Sequence, residues 1–235
     1  MKLVLYIFLI AFLAIFSEQK GFGQRIKGAV IFGGNLTQVD GDNIYGFKKW
    51  GLNAGAAAIV PIKSNFSFTL ETIYNQKGSK QKAWYYEEVT DTSGNVIDVR
   101  TGQYKVKLDY LEVPFLVQYT DKKIITAGVG FSYGRLVNIK EYQHDTLVPT
   151  TTLNSDTYNR NDWNVIADLQ FRIHKNFPKF KFNIRYAYSM SSIRTRDYYN
   201  QYSGEYINTR KQYNNVITFR LIYVFNEQPP LDNPR

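Results

Sequence analysis

Residues 180–190 read Phe-Lys-Phe-Asn-Ile-Arg-Tyr-Ala-Tyr-Ser-Met, a run in which apolar and polar side chains alternate. The apolar parity consists of Phe180, Phe182, Ile184, Tyr186, Tyr188 and Met190. The other parity consists of Lys181, Asn183, Arg185, Ala187 and Ser189. A period of two predicts a β-strand with one apolar and one polar face. About ten residues is also the length of a strand that crosses a bilayer at a tilt.

Seven further segments repeat this alternation, at residues 27–36, 50–61, 66–78, 106–119, 124–137, 163–174 and 215–225. The connections between the eight segments are alternately long and short. Phe, Tyr, Ile, Leu and Val recur on one parity, whereas the outer face of a soluble eight-stranded barrel would be polar. The pattern predicts an all-β fold, an eight-stranded antiparallel up-and-down transmembrane β-barrel with short periplasmic turns and long extracellular loops. The last segment must pair with the first, because an open edge in lipid leaves backbone groups unpaired.

The N-terminus has the features of an export signal. Lys2 precedes the uncharged residues 3–16, which as a helix span only about 21 Å, too short for the hydrocarbon core. Gly21 and Gly23 are small residues before a cleavage site that we place between Gly23 and Gln24. We expect a cleaved Sec signal peptide at 1–23, the barrel at 24–225 and a polar periplasmic tail at 226–235; the alternative is an uncleaved anchor.

Composition narrows the class of protein. The chain has 235 residues and no cysteine, which excludes a disulfide scaffold and a lipidated cysteine. Its net charge is +9, but no block of Lys and Arg is longer than two residues, so we expect no nucleic-acid partner. The expected location is the bacterial outer membrane. The expected partners are outer-membrane lipid and lipopolysaccharide, together with other outer-membrane proteins of a secretion or assembly complex.

Two short motifs resemble a known family. Residues 110–119, Tyr-Leu-Glu-Val-Pro-Phe-Leu-Val-Gln-Tyr, are similar to the Tyr-Leu-Glu-aliphatic-Pro strand of the PorT-like outer-membrane β-barrel family of Bacteroidota. Residues 74–78, Tyr-Asn-Gln-Lys-Gly, are similar to its Tyr-x-x-Lys-Gly element. At the level of pattern the resemblance covers residues 25–225. It implies the fold and the compartment rather than an activity, because members have assorted roles, some in type IX secretion and gliding.

Pro114 lies inside a predicted central strand. Proline has no N–H to donate to the ladder, and a closed barrel has no edge on which to place it. We therefore predict a local bulge or a missing ladder bond at this position.

Charged residues accumulate on the inner parity of the strands: Glu71, Glu112, Asp168, Arg172, Lys181, Arg185 and Arg220. They are either a polar relay or a set of ion pairs that fills the lumen. Eight strands leave an interior just wide enough for side chains, which favours the structural interpretation. Glu71 and Glu112 lie on adjacent strands, so each needs a cation, and Arg185 and Arg220 are the expected partners.

The sequence gives no positive sign of catalysis, so we predict no enzyme, no cofactor and no metal site. The paired carboxylates of a glycosidase would require a cleft that a packed lumen does not have. His144 and His174 are far apart in the predicted topology and have no second ligand at metal spacing. The glycine-rich first strand has no phosphate-loop lysine in register.

The predicted extracellular loops carry the remaining candidate residues: Trp84, Tyr85, Tyr86, Arg194, Arg196, Tyr198 and Tyr199. The aromatic residues suit a glycan or protein interface; the alternative is an aromatic girdle at the membrane surface. The arginines are suited to lipid phosphates, or they belong to a solvated loop.

Two functions of different classes are compatible with these observations. The first is a non-enzymatic barrel that serves as a structural or accessory subunit of an envelope complex for secretion or outer-membrane protein assembly. The alternative is a barrel whose Tyr- and Arg-rich extracellular loops bind a ligand, a glycan or a surface partner. An outer-membrane enzyme is the third possibility.

Overall fold

The structure is a computed structural model that describes residues 26–63, 65–122, 124–174, 177–199, 204–225 and 227. The predicted signal peptide at 1–23 lies outside the described residues, and so does the predicted tail at 226–235 except for Glu227. Among the described residues, no helix has the length and apolar character needed to cross a membrane.

The described residues form twelve β-strands. Their bounds are β1 (Lys27–Asp40), β2 (Lys49–Lys63), β3 (Phe66–Gln81), β4 (Glu87–Thr90), β5 (Val96–Arg100), β6 (Tyr104–Asp121), β7 (Ile125–Gln143), β8 (Thr146–Leu147), β9 (Asn161–His174), β10 (Phe177–Ser189), β11 (Arg194–Tyr199) and β12 (Tyr206–Val224).

Eight of these strands form a closed antiparallel ring. The order is β1, β2, β3, β6, β7, β9, β10 and β12, and β12 pairs with β1. Ala29 lies opposite Val224 at one end of this seam and Asp40 lies opposite Tyr213 at the other. The pairing of the first and last segments is confirmed, and each wall strand has a neighbour on both sides. The connections after β2, β6 and β9 are tight, and they lie at the same end as the start of β1 and the end of β12.

Apolar side chains cover the outside of the ring, as predicted. Phe180 is 43% exposed, whereas Arg185 on the opposite face of the same strand is 2% exposed. Cross-strand aromatic pairs mark both ends of this apolar belt. Ring centroids lie 5.1 Å apart in Phe66–Tyr119 and 5.0 Å in Phe180–Tyr223 at the periplasmic end, and 4.9 Å in Tyr133–Trp163 at the extracellular end. Aromatic girdles of this kind border the hydrocarbon region of outer-membrane barrels.

The interior is packed with side chains in alternating apolar and charged layers. An apolar layer near the periplasmic end contains Ala29, Ile31, Ile73, Ile222 and Val224. A second apolar cluster contains Leu116, Ile166, Ala187 and Val216. Two clusters of ion-paired residues share the interior with them. A packed interior is what an eight-stranded barrel allows.

The strands extend well beyond the membrane on the extracellular side, so three of the predicted loops are partly wrong. The expected loop at 79–103 contains the end of β3 and the β4–β5 hairpin. The expected loop at 138–161 contains the last residues of β7, and that at 191–213 contains β11 and the start of β12. We call this part of the wall the extracellular extension.

The polarity of the wall reverses in the extracellular extension. Its interior is an apolar cluster formed by Val39, Val106, Leu108, Tyr110, Leu136, Ile139, Tyr158 and Ile193. The outward positions on β6 are instead polar, with Lys105 and Lys107 alternating with buried Val106 and Leu108. This apolar-in, polar-out arrangement is typical of β-structure in water. Because it inverts the membrane pattern, the predicted strands ended too early.

Pro114 interrupts the ladder without shifting it. The β3–β6 register is the same before and after the proline, with Leu70 opposite Phe115 and Ile73 opposite Glu112, but the two pairs between them are missing. On its other side Pro114 lies opposite Ser132. The predicted missing ladder bond is therefore confirmed, because proline offers no N–H.

A glycine on the first strand allows the seam to close. Gly33 lies opposite Arg220. A Cβ atom on Gly33 would lie 2.2 Å from the Phe219 carbonyl oxygen and 2.4 Å from the Arg220 Cβ atom. At Gly34 the nearest atom to such a Cβ would be at 3.5 Å, an ordinary contact. Arg220 therefore depends on the missing side chain of Gly33.

We expect Gly33→Ala to destabilise the refolded barrel by about 1–3 kcal/mol, the usual cost of overpacking. The measurement is urea unfolding in detergent followed by tryptophan fluorescence. Gly34→Ala is the matched control and should change the free energy of unfolding by less than about 0.5 kcal/mol. Equal effects of the two substitutions would contradict the assigned close contact.

Candidate functional site

A four-residue ion cluster occupies the lumen, and its members come from four strands. Glu71 on β3 accepts hydrogen bonds from Arg185 on β10 at 2.8 and 2.9 Å and from Arg220 on β12 at 3.0 and 3.0 Å. Asp168 on β9 accepts from Arg185 Nε at 2.7 Å and lies 3.4 Å from Arg220 Nη2. Two carboxylates face two guanidinium groups, so this central cluster is neutral. Pairing of this kind is what makes buried charge tolerable.

Neutral amides complete the central cluster. Gln170 and Gln118 donate to the second oxygen of Asp168 at 3.0 and 3.4 Å. Arg220 Nε donates to Asn183 Oδ1. The charged groups are thereby supplied with hydrogen bonds inside the wall, which lowers the cost of removing them from water.

A second ion cluster, which we call the upper cluster, is centred on Lys77 of β3. The Lys77 Nζ atom lies 2.5 Å from Glu112 Oε1, 3.0 Å from Asp162 Oδ2 and 3.1 Å from Asn164 Oδ1. Neutral donors serve the other carboxylate oxygens: Asn75 donates to Glu112 Oε2 at 2.9 Å, and Ser189 donates to Asp162 Oδ1 at 2.6 Å. Asn214 donates to Asp162 Oδ2, the oxygen that Lys77 also contacts, at 2.9 Å.

The structure brings together four of the seven predicted lumen residues: Glu71, Asp168, Arg185 and Arg220. Glu112 pairs with Lys77 rather than with the expected arginine, because it lies at a different height in the lumen. Arg172 belongs to neither cluster; it is half-buried near the periplasmic end, opposite Lys181. Lys77 and Asp162 were not among the predicted residues, although the inner parity of the third segment included Lys77.

Removing Glu71 should destabilise the barrel more than removing Glu112. Glu71→Ala leaves two buried guanidinium groups with one carboxylate, and we expect a loss of about 3–5 kcal/mol. Glu112→Ala leaves Lys77 paired with Asp162, so we expect a smaller loss of about 1–3 kcal/mol, from unsatisfied donors.

The free energy of unfolding in urea measures both changes, with Asp121→Ala, at the exposed periplasmic end of β6, as the control. A loss for Glu71→Ala no larger than that of the control would show that the central cluster does not stabilise the barrel.

The lumen offers no accessible catalytic group among the described residues. Glu71, Glu112, Asp162 and Asp168 are buried and each is engaged by a cation. The described ranges contain no group of three or more His, Cys, Asp or Glu side chains placed to hold a metal ion. His144 accepts backbone N–H bonds from Thr101 and Gly102 at 3.2 Å each, which gives its ring a structural role.

The β4–β5 hairpin presents the predicted aromatic cluster on the extracellular side. Trp84 is 70% exposed and Tyr86 is 77% exposed, and the Tyr85 ring meets Trp84 edge-on at 4.7 Å. The backbone N–H of Trp84 donates to the Thr101 carbonyl at 3.1 Å, which fixes the base of the hairpin. A groove beside it is lined by Gln81, Trp84, Asp98, Arg100, Gln103 and His144.

The other predicted loop residues lie on β11, away from this hairpin. Arg194 donates to Glu141 at 3.1 Å and to the Tyr158 hydroxyl at 2.7 Å, so it belongs to the interior of the extracellular extension. Arg196 lies over the Tyr198 ring at 5.8 Å. Tyr198 donates to the Gly41 carbonyl at 2.9 Å, whereas Tyr199 is exposed. The seven residues therefore form two separate groups.

Asp42, in the connection between β1 and β2, is a half-buried residue at the extracellular end. One of its carboxylate oxygens accepts the Ile44 N–H at 2.8 Å, and the Ser79 hydroxyl lies beside the carboxylate. Burial raises the pKa of Asp42 from 3.8 to about 6, against the opposing effect of its hydrogen bonds.

The raised pKa of Asp42 predicts a pH-dependent stability. Between pH 3.8 and about 6, Asp42 is more protonated in the folded protein than in the unfolded chain. Its contribution to the free energy of unfolding therefore falls as pH rises through that window. Asp42→Asn should flatten the thermal-unfolding midpoint against pH relative to the wild type, and should be at least as stable at pH 7. Asp156→Asn, at an exposed site, is the control and should follow the wild type. A parallel profile for Asp42→Asn would contradict the raised pKa.

The closed ring, its outer apolar belt and its paired interior charges define a transmembrane β-barrel of the bacterial outer membrane. The sequence model of the family described as "Outer membrane protein beta-barrel domain" matches residues 17–194, more than half of the chain, and the chain belongs to that family. No curated protein sequence matches the chain.

Several solved structures resemble this fold at low sequence identity. Ail of Yersinia pestis is 11% identical, with 85% of this chain and 99% of that chain covered and a TM-score of 0.46. Neisserial surface protein A is 8% identical, with coverages of 83% and 96% and a TM-score of 0.45. OprG of Pseudomonas aeruginosa is 13% identical, with coverages of 87% and 99% and a TM-score of 0.40.

Proposed function

We propose that this protein is a non-enzymatic accessory subunit of an envelope complex, and that it binds a protein partner through the β4–β5 hairpin. The observation that carries the proposal is that apolar side chains are exposed on the extracellular hairpin, outside the hydrocarbon belt. Val96 is 52% exposed and Ile97 is 64% exposed near the tip of the hairpin, and Trp84 and Tyr86 are exposed at its base. Exposed apolar and aromatic groups outside the hydrocarbon belt are characteristic of protein interfaces.

The lumen supports a binding role rather than transport or catalysis. Arg220, Tyr110, Lys77 and Leu116 are among its fully buried side chains, and they fill the cross-section at successive heights. A substrate would have to displace paired charges to reach any of the buried carboxylates, at a cost of several kcal/mol. Function in such a barrel is therefore expected on its extracellular surface.

The contact between two motifs supports placing the chain among the PorT-like barrels. Lys77 of the Tyr-x-x-Lys-Gly element forms the 2.5 Å ion pair with Glu112 of the Tyr-Leu-Glu-aliphatic-Pro strand. Asn75, the second residue of the Tyr-x-x-Lys-Gly element, donates to the same Glu112 carboxylate. The two resemblances therefore describe one structural unit, the upper cluster, and secretion or outer-membrane assembly is the proposed setting.

Purification in a gentle detergent from the native envelope, after crosslinking, tests the proposed subunit. We expect a stoichiometric protein partner whose recovery falls at least tenfold in Tyr86→Ser/Ile97→Ser. The matched control is Tyr206→Ser/Ile207→Ser, which removes the same two residue types, also more than half exposed, from β12 and should retain the partner. A lone monomer, or equal loss in both variants, would contradict the proposal.

The groove beside Trp84 favours a glycan as the second candidate. An exposed indole next to Gln81, Gln103 and Asp98 combines a stacking surface with planar hydrogen-bonding groups. This candidate predicts a monomer whose binding to a glycan array is lost in Trp84→Ala and kept in Tyr86→Ser/Ile97→Ser. The two candidate functions therefore predict that different variants lose binding: Tyr86→Ser/Ile97→Ser for the protein partner and Trp84→Ala for the glycan.

A further inference from the structure

Four lysines form a strip on the outer wall above the apolar belt. They are Lys80 on β3, Lys105 and Lys107 on β6, and Lys140 on β7. Each alternates with buried neighbours that face the interior, such as Ser79, Val106, Leu108, Ile139 and Glu141. The four side chains therefore share the outward face of three adjacent strands, and we refer to them as the lysine strip.

Like charges face each other directly in the lysine strip. Lys80 is the cross-strand partner of Lys105, and Lys107 is the cross-strand partner of Lys140. Side chains in such pairs have Cβ atoms about 4.5–5.5 Å apart, and like charges at that separation destabilise a sheet. The strip is therefore an unfavourable arrangement for the isolated protein.

None of the four lysines forms an ion pair within the described ranges. The Lys105 ammonium lies over the Tyr142 ring, 5.6 Å from its centroid. Asp109, the acid two residues after Lys107 on the same strand, is 3% exposed, and one of its oxygens accepts a bond from Asn138 at 2.8 Å. A single carboxylate cannot balance four ammonium groups, so the strip keeps a net positive charge that an external anion would reduce.

The position of the strip indicates the source of that anion. On β7 the outward face runs from Tyr133 of the extracellular girdle through exposed Arg135 to Lys140. At about 3.3 Å per residue and a tilt near 40°, Lys140 lies roughly 15–20 Å above the girdle. Arg135 donates to Asn161 at 2.6 Å and has no carboxylate partner among the described residues. The outer face of β7 thus carries one cation just above the girdle, Arg135, and a second one higher on the wall, Lys140.

An apolar groove lies on the same side of the barrel, below Tyr133. Its walls are the lipid-facing side chains Phe115, Val117, Val129, Phe131 and Val165. Trp163 closes its upper end against Tyr133. A groove in the hydrocarbon belt beneath a band of cations matches an amphiphile with an acyl chain below and anionic groups above.

We propose that the lysine strip and Arg135 bind the anionic head group of an outer-leaflet glycolipid, lipopolysaccharide, while the groove below seats one of its acyl chains. The ammonium and guanidinium groups contact phosphate and carboxylate oxygens of the sugar head group by charge-assisted bonds. The bound anions also relieve the repulsion within the two lysine pairs. None of these five cations lies on the β4–β5 hairpin, so the lipid site does not depend on the proposed partner.

The test uses the full mature chain purified in detergent and titrated with purified lipopolysaccharide. The variant Lys105→Gln/Lys107→Gln/Lys140→Gln removes three charges from the strip. The control Lys48→Gln/Lys122→Gln/Lys179→Gln removes three exposed lysines elsewhere and has the same net charge. Native mass spectrometry counts retained glycolipid, and the thermal-unfolding midpoint gives the apparent dissociation constant.

We expect at least tenfold weaker binding in the strip variant and less than a twofold change in the control. Dephosphorylated lipopolysaccharide should bind the wild type more weakly than the intact glycolipid, and inorganic phosphate at the same phosphate concentration should not shift the midpoint. Without lipid, at low salt, the strip variant should unfold at or above the wild-type temperature. Equal retention by the two variants, a shift with phosphate alone, or a strip variant destabilised without lipid would each overturn the proposal.

Discussion

Hydrogen bonding of the backbone in hydrocarbon is the constraint on which this structure depends. Lipid offers no partner for an N–H or a C=O group, so every wall strand needs a neighbour on each side. The chain meets this requirement by returning β12 to β1 over the register from Ala29–Val224 to Asp40–Tyr213. Closure then dictates local sequence: Gly33 must lack a side chain where Arg220 passes, and Pro114 must be tolerated without an edge.

Closure also decides where charge can be placed. With the outer face given to lipid, the inner parity is polar, and eight strands leave no room for water around it. The central cluster answers this by balancing Glu71 and Asp168 against Arg185 and Arg220. Its members come from β3, β9, β10 and β12, so the neutral set is complete only in the closed ring. The ion pairs are thus a result of the topology as well as a support for it.

The sequence predicts well which side chains face the lipid and which face the lumen, but it predicts poorly how high along the barrel axis each side chain lies. Alternation in residues 180–190 and the seven similar segments is sufficient to predict eight strands, their outward apolar side and the seam. Parity alone does not say which inward residues share a level, since that depends on stagger between strands. Hence Glu112 was expected beside an arginine and is found beside Lys77, and Arg172 was grouped with charges that it does not reach.

The extracellular extension was missed for a different physical reason. In the predicted loop at 138–161, Ile139 and Lys140 do alternate, but with the apolar side chain inside and the cation outside. A search for apolar side chains facing lipid assigns this segment to a loop. The predicted loop residues then separate, because Arg194 is drawn into the extension by Glu141 and Tyr158 while Trp84 remains on its surface.

The reversal of wall polarity fixes how deeply the barrel is immersed. Below the Tyr133–Trp163 pair the outer surface of the barrel is apolar. A few residues above that pair, the same surface carries Arg135 and then lysines. Vertical drift in one direction would drag cations into hydrocarbon, and drift in the other would expose Phe and Val to water; both are penalised. The β4–β5 hairpin is consequently held at a constant height above the membrane surface.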